Sequence, residues 1–183
     1  MSPLGVCSFT MEINPMESLS IYVACLASYN NGILFGRWIS ANQSVDEIME
    51  QIYAMLDDSP IKDAEEWAIH DYSGFGDIRL SEYESIETIV EYAEFIDEQG
   101  ELAIAVIAEY GFDDAKQMIE DRYQGCYDSK VDFAQSLIDE CYSETLPDNL
   151  MRYFDYEAFA RDLFINDYCS VNVSNEVHVF SYN

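Results

Sequence analysis

Between Glu84 and Glu101 the chain alternates acidic and apolar positions at the spacing of a helix. Glu84, Glu87, Glu91, Glu94, Glu98 and Glu101 advance by three or four residues at a time, which sets six carboxylates along one side. Ile86, Ile89, Val90, Ala93 and Ile96 form the opposite stripe, which must be buried. Ser81 followed by Glu84 has the form of a capping box and predicts the helix start, and Gly100 ends the run. Like charges three or four residues apart cost a few tenths of a kcal/mol each, so the stripe costs roughly 1–2.5 kcal/mol. An ordinary solvated face would mix in lysine and arginine. No basic residue lies between Arg79 and Lys116, which points to a function for the stripe.

The same pattern, read along the rest of the chain, predicts a series of short elements. Residues 19–26 are an apolar strand, 29–32 a turn, and 33–39 a second strand that pairs back. Ser44 with Glu47 caps a helix to about Leu56 that buries Val45, Ile48, Ile52 and Met55. Residues 66–72 have the length and composition of a third strand, completing a βαβ-like module, and SGFGD at 73–77 reads as a linker. Beyond the acidic helix, further helices are predicted over 100–110, 113–122 and 129–142, with a break at 125–128. Pro147 fits the first turn of a helix to Tyr153, and 156–165 forms another. Strands over 169–173 and 177–182 are joined at Ser174 and Asn175. Residues 1–18, interrupted by Pro3 and Pro15, show no period and read as a loose leader. The fold class is α+β, with an N-terminal sheet-and-helix module over 19–76, a central acidic helical module over 77–122, and C-terminal helices with short strands over 123–183.

Composition sharpens this picture. The chain carries 36 acidic against 8 basic side chains, a formal net charge of −28. An apolar content of 49% and 14 tyrosines exclude a disordered acidic tail. The charge is uneven: residues 57–148 hold 26 acids and 5 bases, a net of −21, whereas residues 1–56 hold 5 acids. Such a surface repels nucleic acid and anionic membrane and is drawn to basic grooves. The five cysteines are odd in number and lack CxxC spacing, which suits reduced cytosolic thiols. The first 36 residues contain no lysine or arginine for a signal-peptide n-region, and the apolar run at 102–108 is too short to span a bilayer. The expectation is a soluble cytoplasmic protein.

Candidate chemistry is sparse. HExxH, paired CxxC and calcium-loop patterns are missing from the sequence, and acid pairs such as Asp57–Asp58 and Asp113–Asp114 read as solvated. The two histidines, His70 and His178, have no serine or cysteine in a nucleophile motif beside them. His70, next to Asp71 near a strand end, reads as structural, and Gly74-Phe75-Gly76 lacks the third glycine and basic residue of a phosphate loop. No metal site, cofactor or catalytic residue is therefore expected. Charge density is the strong signal. At one phosphate per ~1.7 Å of duplex axis, the net charge equals ~48 Å of B-DNA, roughly 14 base pairs. The stripe alone, ~25 Å long at 1.5 Å per residue, is sparser than one phosphate strand. Asp113, Asp114, Glu120, Asp121, Asp132 and Asp139 on neighbouring elements would have to fill in.

Three blocks carry a resemblance: IYVACLASYNNGILFGRWI at 21–39, EEWAIHDYSGF at 65–75 and YFDYEAFARDL at 153–163. With DRYQGCYDSKVDFAQSL at 121–137, which is similar to that family's antirestriction motif, they resemble the ArdA-type antirestriction proteins in order and spacing. The resemblance runs from about residue 20 to the C-terminus. It implies an elongated chain of three small modules, forming a homodimer whose acidic surface imitates bent B-DNA. The implied partner is a Type I restriction-modification enzyme, in the DNA-binding groove of its specificity and methyltransferase subunits. No cofactor and no catalysis are implied. Gly32, Gly36 and Trp38 match the first block and Trp67, His70 and Asp71 the second, all with structural roles. Tyr156, Ala158, Arg161, Asp162 and Leu163 match the third, expected as a buried helix with Arg161 satisfying local acids. Gly125, Cys126 and Tyr127 are candidates for the dimer contact or a structural turn. Two other classes stay open at this point: a hydrolase using a carboxylate pair, and a halophile-type protein acidic only for solubility.

Overall fold

Strand β1 (Ser20–Cys25) is antiparallel to both its neighbours, β2 (Gly36–Ser40) and β3 (Trp67–Ser73), in the order β2-β1-β3. The computed structural model describes residues 18–141 and 151–182. Of the expected leader and the expected 147–153 helix, all but Ser18 and residues 151–153 lie outside the described residues. The chain divides into two compact units between Ile104 and Ala105.

In the first unit α2 (Val45–Asp57) connects β2 to β3, two strands that run parallel with β1 inserted between them. The βαβ-like reading holds in this split form. Ile21, Val23 and Ile39 of the sheet and Ile48, Ile52 and Met55 of α2 are buried. The Ser44–Glu47 box forms as expected: Ser44 Oγ accepts from the Glu47 N–H at 3.4 Å, and Glu47 Oε2 accepts from the Ser44 N–H at 3.0 Å. These bonds from Ser44 hold the Glu47 carboxyl below its usual pKa of 4.5. A depressed folded-state pKa contributes stability that is present above 4.5 and lost as pH falls through the folded value. Ser44→Ala is accordingly expected to lower stability by about 0.5–2 kcal/mol at pH 7. It should also shrink the acid limb of a melting-temperature profile.

Several expectations are corrected in this unit. The turn expected at 29–32 forms at Asn31 and Gly32, but Tyr29 and Asn30 close a short helix, α1 (Leu26–Asn30), and β2 begins only at Gly36. The buried Ser28 anchors α1 through Ser59 Oγ at 3.0 Å, so the connection spends its residues on a helical turn rather than on strand. The acidic helix α3 (Ile86–Gln99) starts one turn later than expected, with Ser85 rather than Ser81 as its cap; Ser85 Oγ accepts from the Thr88 N–H at 3.1 Å. Ser81 instead opens a turn, and the Glu82 carbonyl is committed to the Ile69 N–H of β3 at 2.9 Å. The linker expected at 73–77 is not one. Phe75 is 0% exposed, and a Cβ on Gly76 would meet Ile104 Cγ2 at 2.6 Å.

Helix α4 (Glu101–Tyr110) follows Gly100, and α5 (Phe112–Asp121) follows Gly111, both glycines having positive φ. The second unit then builds a sheet in the order β4-β6-β5 from β4 (Tyr123–Tyr127), β5 (Tyr168–Val173) and β6 (Glu176–Ser181). Helices α6 (Lys130–Cys141) and α7 (Tyr156–Asn166) bury Phe133, Ala134, Ala160 and Leu163 with Val179 of the sheet. Strand β4 corrects the break expected at 125–128. Pairing to β6 shifts register between Tyr123 and Gly125, so Gln124 is an extra residue and Gly125, at φ +126°, sits in a bulge. The β5–β6 turn matches expectation, with Ser174 and Asn175 both left-handed. The molecule is of mixed α+β class, with two small antiparallel sheets among its helices.

Candidate functional site

The apolar stripe of α3 is buried as the periodicity requires, at Ile86, Ile89, Val90, Ala93, Phe95 and Ile96. The consequence is that Glu87, Glu91, Glu94 and Glu98 all face solvent, with Asp97 exposed beside them. Among the described residues no lysine or arginine forms an ion pair with any of these four glutamates; arginine pairs are Arg37–Asp58 and Arg161–Asp162. Glu84 precedes the cap and is half-buried, and Glu101 opens α4. Four of the six expected stripe residues thus share one helix face.

The other six acids lie in the second unit and are all exposed. Asp113 and Asp114 occupy the first turn of α5, where they complement the helix dipole. Glu120 and Asp121 close the same helix and oppose it. Asp132 is tied into the start of α6. Its N–H donates to Ser129 Oγ at 3.1 Å, and its carboxylate accepts from the Ser129 hydroxyl. Asp139 lies near the end of α6, and no described helix carries a basic residue in its last turn.

The signature residues lie on a turn, two strands of the first sheet and one helix of the second unit. Gly36 allows close approach, since a Cβ there would lie 2.4 Å from the Val23 carbonyl oxygen. Gly32, at φ +75°, leaves α1. Trp38 is 48% exposed on β2 with its ring 5.5 Å from Tyr22. His70 is the extra residue of a bulge between β1 and β3; its ring meets Tyr29 edge-on at 4.8 Å and its Nε2 lies 3.5 Å from Glu82 Oε1. Asp71 accepts from the Tyr72 N–H at 2.8 Å, and Trp67 begins β3. Tyr156 begins α7 against Phe154. That helix buries one face, at Ala160 and Leu163, rather than its whole circumference. Arg161 is exposed, 3.7 Å from Asp162. Tyr127 packs edge-on against Phe133 and its hydroxyl donates to the Gln124 carbonyl at 3.2 Å, so Gly125, Cys126 and Tyr127 belong to a strand rather than a turn.

A groove of about 380 Å³ lies at the start of α3, lined in part by Trp67, Tyr83, Glu84 and Glu87. It brings two carboxylates, Glu84 and Glu87, to one groove. Sequence reasoning did not pick out Asp97, nor a cluster of Cys126, Glu176 and His178 on the second sheet. Among the described residues no helix is long and apolar enough to cross a membrane.

These features define an α+β protein with an exposed acidic helix face on α3. Over residues 21–176 the sequence matches the antirestriction protein (ArdA) family, and the chain belongs to that family. Antirestriction is the function this membership supports, with restriction enzymes as the class of partner. No curated protein gives a match.

Proposed function

We propose that the protein is a DNA mimic that occupies the DNA-binding groove of Type I restriction-modification enzymes, between surfaces of the specificity and methyltransferase subunits, and blocks restriction without catalysis. It acts as a homodimer in the cytoplasm. The observation that carries the reading is the exposed face of α3, where Glu87, Glu91, Glu94 and Glu98 repeat with no cation partner among the described residues. Successive carboxylates rise by about 5 Å along the axis, coarser than one phosphate strand but of the same order. Acids also stand in the last turns of α3 and α5, where they work against the helix dipole. Local helix stability therefore does not account for their placement, whereas a basic groove as target does. Unmodified phage plated on a host with a Type I restriction system tests this. Expression of the protein is expected to restore plating toward that on a non-restricting host. Unchanged restriction with the protein present and folded would count against it.

A further inference from the structure

We propose that Cys126, Glu176 and His178 form a binding site for a divalent cation of the zinc class. Strands β4 and β6 pair with Cys126 directly opposite His178, and Glu176, two residues earlier on β6, shares the face of His178. A sulfur, an imidazole nitrogen and a carboxylate oxygen from the three lie within 4.8 Å of one another. Tetrahedral zinc, with bonds of about 2.0–2.3 Å, holds its donors roughly 3.5 Å apart. Shifts of about 1 Å at the side-chain tips close the triad to that spacing. All three residues are half-buried, and the paired strands fix their backbones.

A further contact suits the same assignment. Tyr123 Oη lies 2.9 Å from His178 Nδ1, and the two rings stack at 5.9 Å. A hydrogen bond on one imidazole nitrogen orients the ring and leaves the other for a metal, the outer support that ligating histidines ordinarily have. Sulfur with imidazole selects zinc-like ions over magnesium or calcium, which the exposed carboxylates elsewhere would take loosely. On binding, the Cys126 thiol gives up one proton and its sulfur bonds the ion; no electron is transferred. Three protein donors leave a fourth position for water. The bound ion would pin β4 to β6 beside the Gly125 bulge.

Cobalt(II) serves as the probe, titrated into the full reduced chain. One ion per chain is expected, with thiolate-to-cobalt charge-transfer absorption that zinc abolishes by displacement and millimolar magnesium does not. Cys126→Ser should remove the band, and His178→Gln and Glu176→Gln should each weaken binding by about tenfold or more. Cys141→Ser, which alters an exposed cysteine on α6, should leave it intact. Circular dichroism establishes that each variant is folded, and the wild-type stoichiometry and zinc displacement stand without any variant. No charge-transfer band in the wild type would overturn the proposal. So would a band that survives in Cys126→Ser or is lost in Cys141→Ser.

Discussion

Changing Glu87, Glu91, Glu94 and Glu98 together to glutamine is expected to weaken competition with duplex DNA for a Type I restriction enzyme by about 10- to 100-fold, while each single change costs at most about fivefold. The reason is the exposure of all four side chains. A screened, solvated charge contributes little by itself, typically a factor of about 1.5 to 5, and the factors compound along the face. Circular dichroism should show α3 retained, because removing like charges at three- and four-residue spacing relieves the helix. A catalytic carboxylate behaves differently, since one amide substitution removes orders of magnitude of rate. Glu84→Gln and Glu87→Gln are the decisive singles, because both side chains line the groove at the start of α3. Loss of all activity from one of them, with the fold intact, would mean a discrete site in place of a charge imitation.

Phe75→Ala is expected to destabilise the protein by about 3–5 kcal/mol. Phe75 is among the largest fully buried side chains and meets Tyr72 edge-on at 6.1 Å. Its removal leaves a cavity that the strand-end turn cannot fill. Tyr83→Ala, at a position 71% exposed, is the control and should change stability by less than about 0.5 kcal/mol. Urea denaturation of the three proteins reads the difference. A Phe75→Ala effect no larger than the control's would restore a linker at residues 73–77.

Local signals were legible and long-range ones were not. The Ser44–Glu47 box forms because both partners lie within one turn and nothing distant competes for them. Ser81 and Ser85 each stand three residues before a possible partner, and the choice falls to Ser85 because the Glu82 carbonyl is bonded to β3. A strand in another part of the chain decides it. Phe75 between two glycines looks like loop until Ile104 is seen against Gly76. Likewise Gly125 suggests a break, yet a bulge lets it remain in a strand paired to β6. The exposed face of α3 was readable because helical periodicity alone separates its glutamates from its isoleucines. Asp132 carried a readable hint, since Ser129 precedes it at capping distance. The Cys126, Glu176 and His178 cluster depends on cross-strand register, which no local pattern encodes.

The most direct test of mimicry is equilibrium competition between the wild-type protein and a fluorescent duplex for a purified Type I restriction-modification enzyme. The duplex carries the enzyme's recognition sequence. Mimicry predicts complete displacement of the duplex, competitive in form, with the protein's own affinity falling as salt rises. Inhibition of restriction with the duplex still bound would contradict it.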